Sequence, residues 1–77
     1  MKHILHLSYF PSIADALAAI NLLDSAFLKA HKRKSNTDLT VATTSNYIEV
    51  RCHYEKEHRA EAAWFERYLQ ENPVVTR

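Results

Sequence analysis

From Lys2 to Phe10 the chain alternates, with Leu5, Leu7 and Tyr9 on one side and Lys2, Ile4, His6 and Ser8 on the other. This is the period of two that a half-buried strand requires. Pro11 stops the alternation. Ser12, with Asp15 in the first turn, then supplies an N-cap and an acid at the positive end of a helix. From Ser12 to about Lys32, Ile13, Leu17, Ile20, Leu23 and Phe27 recur at three- and four-residue steps, so they are expected to form one core-facing stripe. Asp24, between Leu17 and Leu28 on the helical wheel, and His31 interrupt that stripe. The opposite side carries Ala14, Ala18 and Leu22 beside Asn21 and Ser25, which is less polar than a solvated face. Alanine's helix propensity explains part of this, and Leu22 marks surface that another molecule would cover.

Lys32-Arg33-Lys34 closes the helix with charge that complements its negative end. The connection through Ser35-Asn36-Thr37-Asp38 has no glycine, so Asn36 is expected to take the left-handed cap. Leu39 to Thr44 alternates again, Thr44-Ser45-Asn46 makes a reverse turn, and Tyr47 to Tyr54 forms the other arm of a hairpin. In that arm Ile48, Val50, Cys52 and Tyr54 face the core, against Tyr47, Glu49, Arg51 and His53. The charged Glu55-Lys56-Glu57 leads into a second helix with Ala62, Phe65, Tyr68 and Leu69 inward and Trp64 on the flank. The helix ends by Asn72, because the residue before Pro73 is biased out of helical geometry. Residues 73–77 read as a frayed tail.

The expected fold is therefore α+β, a single two-layer domain of order β-α-β-β-α with both helices on one face of a three-stranded sheet. Seventy-seven residues make one domain, near the size at which a single core is marginal. The other face stays open and displays Ile4, His6, Thr40, Ala42, Tyr47, Glu49, Arg51 and His53. The sheet edges are open to strand addition by a partner or a second copy.

Composition removes several function classes. With no glycine there are no phosphate-cradling loops or dinucleotide fingerprints. Ten basic against nine acidic residues create no global field for nucleic acid, so only the Lys29 to Lys34 cluster offers a basic patch. One cysteine, Cys52, cannot form an internal disulfide, and its register points inward, where it is a small hydrophobe rather than a nucleophile. The first residues are too short and too polar for a secretory signal or a membrane span, and a reducing, cytoplasmic location is expected. Five histidines invite a metal reading, but His3 and His6, three apart on a strand, point to opposite faces. No metal, cofactor or catalytic constellation is expected.

The β-α-β-β-α order, the Ala16-Leu17-Ala18 run and the Tyr47-Ile48-Glu49-Val50 strand leading to a charged second helix resemble the small DinI-type modulators of the recombinase RecA. The resemblance covers most of the chain and implies a protein that acts on a recombinase. That family's second helix carries a strongly acidic end with a tryptophan, whereas Lys56, Arg59 and Arg67 are mixed among the acids here.

The leading expectation is a non-enzymatic regulator or inhibitor that occludes a protein or nucleoprotein partner, of the kind phage and mobile elements use against host defence, anti-CRISPR proteins among them. Leu22, Lys29, Lys32, Arg33, Tyr47 and Arg51 are the candidate contact residues. The alternatives are direct nucleic-acid contact through the basic helix end and, compatible with either, a homodimer through Ala14, Ala18 and Leu22.

Overall fold

A computed structural model describes residues 2–73, and of the segment expected to fray, 73–77, all but the first residue lies outside the described residues. The element order is β1 (Lys2–Phe10), α1 (Ile13–His31), β2 (Asp38–Thr43), β3 (Ile48–Glu55), a short 3-10 turn (Lys56–His58) and α2 (Arg59–Glu71). The strands lie in the order β1-β3-β2, with β3 antiparallel to both neighbours. β1 and β2 are thus parallel and joined through α1, with the hairpin arm β3 inserted between them.

Both helices pack on one face of this sheet, as the patterning requires. Leu23 and Phe27 of α1, Cys52 of β3, and Ala62 and Phe65 of α2 form one buried cluster. A second, smaller cluster joins Phe10, Ala16, Ala19 and Val50 at the other end of α1. Complete burial of a side chain such as Leu23 or Phe65 stabilises the fold by about 2 kcal/mol each, so the first cluster dominates. The second has only methyl groups between helix and sheet at Ala16 and Ala19, and no residue of α2 belongs to it.

Three details depart from the pattern. Ile13 and Leu17 are 50 % exposed, and the core-facing line of α1 runs through Ala16, Ala19, Leu23 and Phe27. Leu23 and Phe27 of the expected stripe lie on this line, whereas Ile13 and Leu17 lie about a quarter turn round the helix from it and Ile20 is tucked partly under. Size misled here: the alanines mark the true contact line because the helix lies close to the sheet. Asp24 is consequently at the exposed margin of the helix rather than in the core face.

The second departure is in β1, where the register with β3 shifts between His6 and Ser8. Leu7 is the extra residue of this bulge, and beyond it the faces exchange: Phe10 turns into the core and Tyr9 outward, 64 % exposed. The third is the end of α1. Lys32, not Asn36, adopts the left-handed conformation, with φ 60°, and its N–H donates to the Leu28 carbonyl at 2.8 Å. The predicted start is correct, since Ser12 Oγ accepts from the Asp15 N–H at 3.1 Å. No helix among the described residues is long and apolar enough to cross a membrane.

Candidate functional site: the open sheet face

The face away from the helices is built by simple alternation along the central strand. Glu49, Arg51 and His53 of β3 stand between Tyr9, His6 and Ile4 of β1 and Ala42, Thr40 and Asp38 of β2. His3, paired with Tyr54, belongs to the opposite face from His6, as the strand period demands. The bulge adds Tyr9 to the expected set, and the hairpin turn delivers Tyr47. Thr44 holds that turn: its N–H donates to the Tyr47 carbonyl at 2.9 Å, and its hydroxyl oxygen accepts from the N–H groups of Asn46 and Tyr47 at 3.1 Å each. The two tyrosine rings then meet edge to face, centroids 5.1 Å apart, an attractive aromatic geometry.

Beside this pair sits Glu49, only 1 % exposed although no helix or loop among the described residues covers this side of the sheet. Its neighbours on the face shield it. The Arg51 Nε–H donates to Oε1, and His6 Nδ1 lies 3.0 and 3.1 Å from the two carboxylate oxygens. Burial acts to raise the Glu49 carboxyl, but the bonds from Arg51 and His6 outweigh it and hold the group below its ordinary range. The cover is one side chain deep, so the charge is shielded without being deep in the protein. Towards the other end of the face, Lys2 pairs with Asp38 at 2.6 Å and His53 Nε2 lies 3.0 Å from Thr40 Oγ1.

The six candidate contact residues do not form one surface. Tyr47 and Arg51 lie on the open sheet face, while Leu22 and Lys29 line a cleft of about 380 Å³ between α1 and α2 with Trp64 and Tyr68 as its aromatic wall. Through its thinnest axis the molecule measures 17 Å, and the sheet separates the two groups. Lys32 is the helix cap. Arg33 is engaged within the fold: its guanidinium lies 5.4 Å from the centre of the Phe27 ring and donates to Glu61 Oε1 at 3.3 Å.

Glu61 is the polar counterpart of Glu49 on the helix side. It also accepts from the Asn36 backbone N–H at 2.8 Å and from Asn36 Nδ2 at 3.3 Å, with His58 Nδ1 at 3.2 Å. Burial pushes against ionisation, yet the Asn36 N–H, the Arg33 guanidinium and the Asn36 amide together bring the carboxyl down to about 2. This carboxylate ties the loop after α1 to the start of α2. Asn36, expected as a cap, serves as a donor in that tie.

Tyr9 and Glu61 are residues that the patterning missed, while Glu49, which the alternation placed on the open face, is found shielded there by Arg51 and His6. One signal for Tyr9 was present: Tyr9 and Phe10 are adjacent, so both cannot face the core of a strand. Nothing local distinguishes Glu61 from the other acids of α2. Cys52 is fully buried, as its register implied, and burial pushes its thiol up. No family model matches the chain, and neither a curated protein nor a solved structure matches it.

Proposed function

We propose that the chain is a non-enzymatic regulatory or inhibitory protein that acts by covering a surface of a macromolecular partner, and that the open sheet face makes the contact. The observation that carries this reading is the Tyr9–Tyr47 pair, exposed on a face that no element among the described residues covers and set beside the ion cluster of Glu49, Arg51 and His6. Tyrosine and arginine dominate binding energy at protein interfaces because they bury much area while losing little conformational freedom. Arg51, held by Glu49, is ordered before any partner arrives. Lys2 and Arg51 on this face are matched by Asp38, Glu49 and Glu55, which favours a protein partner over a polyanion.

An inhibitor of host defence carried by a phage or mobile element is the narrower form of the proposal, supported by the chain's size and class. The DinI-type reading would need an acidic second helix, and the exposed charges of α2 alternate in sign through Arg59, Glu66, Arg67 and Glu71.

Capture of partners from the source cell with the intact chain tests the proposal. Tyr9→Ala with Tyr47→Ala should lower partner affinity by about 10- to 100-fold while leaving thermal melting nearly unchanged. Loss of binding in Leu22→Ala with Lys29→Ala, and not in the tyrosine variant, would place the contact in the interhelical cleft and refute the assignment of the face. Lys29, Lys32 and Lys34 are all exposed, which keeps nucleic acid as the second reading. That reading requires DNA or RNA affinity that falls steeply with salt.

A further inference from the structure

The sheet has two edges, and they are protected unequally. β1 carries a bulge at Leu7 and opens with Lys2, both features that discourage pairing with another chain. β2 has neither. Among the described residues it bonds to β3 alone, in a ladder with no irregularity, and after Asp38 it reads Leu39-Thr40-Val41-Ala42-Thr43, without charge or proline. Such an edge presents a row of backbone donors and acceptors to any strand that can approach it.

The aliphatic stripe of α1 lies beside that edge. Ile13, Leu17, Ile20, Asp24 and Leu28 follow one another at steps of four, three, four and four residues, the spacing of a helix-packing seam. Asp24 and Leu28 share a cleft with Thr37 and Asp38 at the start of β2, which fixes the side of the molecule on which the stripe falls. Ile20 packs inward against the cluster of Phe10, Ala16, Ala19 and Val50, as Val41 of β2 does, while Ile13, Leu17 and Leu28 are each about half exposed. Among the described residues nothing covers this core-like seam, which lies next to the outer edge of β2.

We propose that a second copy of this chain pairs with the β2 edge about a twofold axis, joining two three-stranded sheets into one of six and bringing the two α1 seams together. The strand is self-complementary in the way such pairing requires. Antiparallel partners must have side chains on the same face, so the twofold axis falls at Thr40 or at Val41. Asp38 then lies opposite Ala42 or Thr44 of the other copy, and in neither register does it meet itself. Asp24 is the only charge in the seam, and Lys34, which lines the same cleft, acts to lower its pKa against the upward push of burial. An isologous interface repeats each of these contacts twice. The open sheet faces of the two copies would become continuous, leaving Tyr9 and Tyr47 uncovered.

Sedimentation equilibrium of the full chain over a range of concentrations tests the proposal, with circular dichroism as the measure of folding. The expected result is a dimer. Leu17→Lys and Thr40→Lys should each weaken it by about tenfold or more, whereas Leu22→Lys, on another side of α1, leaves it intact. Thr40→Lys mixed with Thr40→Glu should restore the dimer mass that neither variant reaches alone, which a folding defect could not do. A chain monomeric at every concentration overturns the proposal, as does a dimer that ignores Thr40→Lys or is lost with Leu22→Lys.

Discussion

Glu49 and Glu61 are carboxylates shielded from water on opposite sides of the same sheet, and their partners come from different ranges of the chain. Glu61 gathers Arg33 and both donors of Asn36 from a loop 25 and 28 residues away. Glu49 is held by Arg51, two residues along its own strand, and by His6 on the adjacent strand. One ties elements together; the other arranges side chains on a surface that is already formed. Removal of Glu61 releases Arg33 and the exposed Asn36 together and unties the loop from α2, whereas removal of Glu49 frees only the side chains of His6 and Arg51 to turn out to water. The same residue type should therefore matter to stability on one side and to recognition on the other.

The largest expected effect follows from that asymmetry. Glu61→Ala should destabilise the fold by roughly 2 kcal/mol in urea unfolding, the cost of losing the charge-assisted bonds that hold the loop to α2. A loss below about 0.5 kcal/mol, the size of an ordinary surface substitution, would mean that the loop is held by other contacts.

Acid should show the same tie by a second route. The Glu61 carboxyl has a folded pKa of about 2 against an ordinary value of 4.5, so its contribution is complete above the latter value and is lost as pH falls toward the former. Glu49 and Asp38 are also lowered and act in the same direction, while Asp24, raised by burial against the influence of Lys34, acts in the opposite one. Glu61→Gln should accordingly be less stable than the native chain at neutral pH and flatten the decline between about pH 5 and pH 2. Parallel stability curves for the two proteins would remove Glu61 as the source of the acid sensitivity.

Glu49 supplies the opposing test. Glu49→Ala should cost roughly 1 kcal/mol of stability, less than Glu61→Ala, because its donors regain water. Partner binding should fall more than stability does, since Arg51 and His6 lose the acceptor that orders them. A Glu49 variant that unfolds as readily as the Glu61 variant would erase the distinction between the two sides.

The difference also marks how far sequence could see. Period-two alternation placed Glu49, Arg51, His53 and Tyr47 on the open face because strand geometry leaves a side chain two choices, and the capping by Ser12 was equally local. Tyr9 escaped because a bulge at Leu7 reverses those choices, and the adjacency of Tyr9 and Phe10 was its one trace in the sequence. The α1 contact line escaped because apolar size and apolar position separated: Ala16 and Ala19 face the sheet while Ile13 and Leu17 do not. Glu61 could not be read at all, since its role depends on where a loop 25 residues earlier comes to rest.

That loop begins under strain, and its first residue offers the smallest and most discriminating perturbation. Lys32 holds φ at 60° in a chain with no glycine, a geometry that costs a residue with a Cβ about 1 kcal/mol relative to glycine. Lys32→Gly should therefore stabilise the protein by about 0.5–1 kcal/mol, reduced by the greater freedom glycine gives the unfolded chain. If the cap directs the loop onto α2, the gain should shrink when Glu61 is already Gln, because a relaxed cap then has no acceptor to deliver Asn36 to. If Glu61 alone positions the loop, the two changes should add within about 0.5 kcal/mol. A double-mutant cycle in urea separates these outcomes, and a Lys32→Gly change that destabilises the native chain would show that the lysine side chain holds the turn.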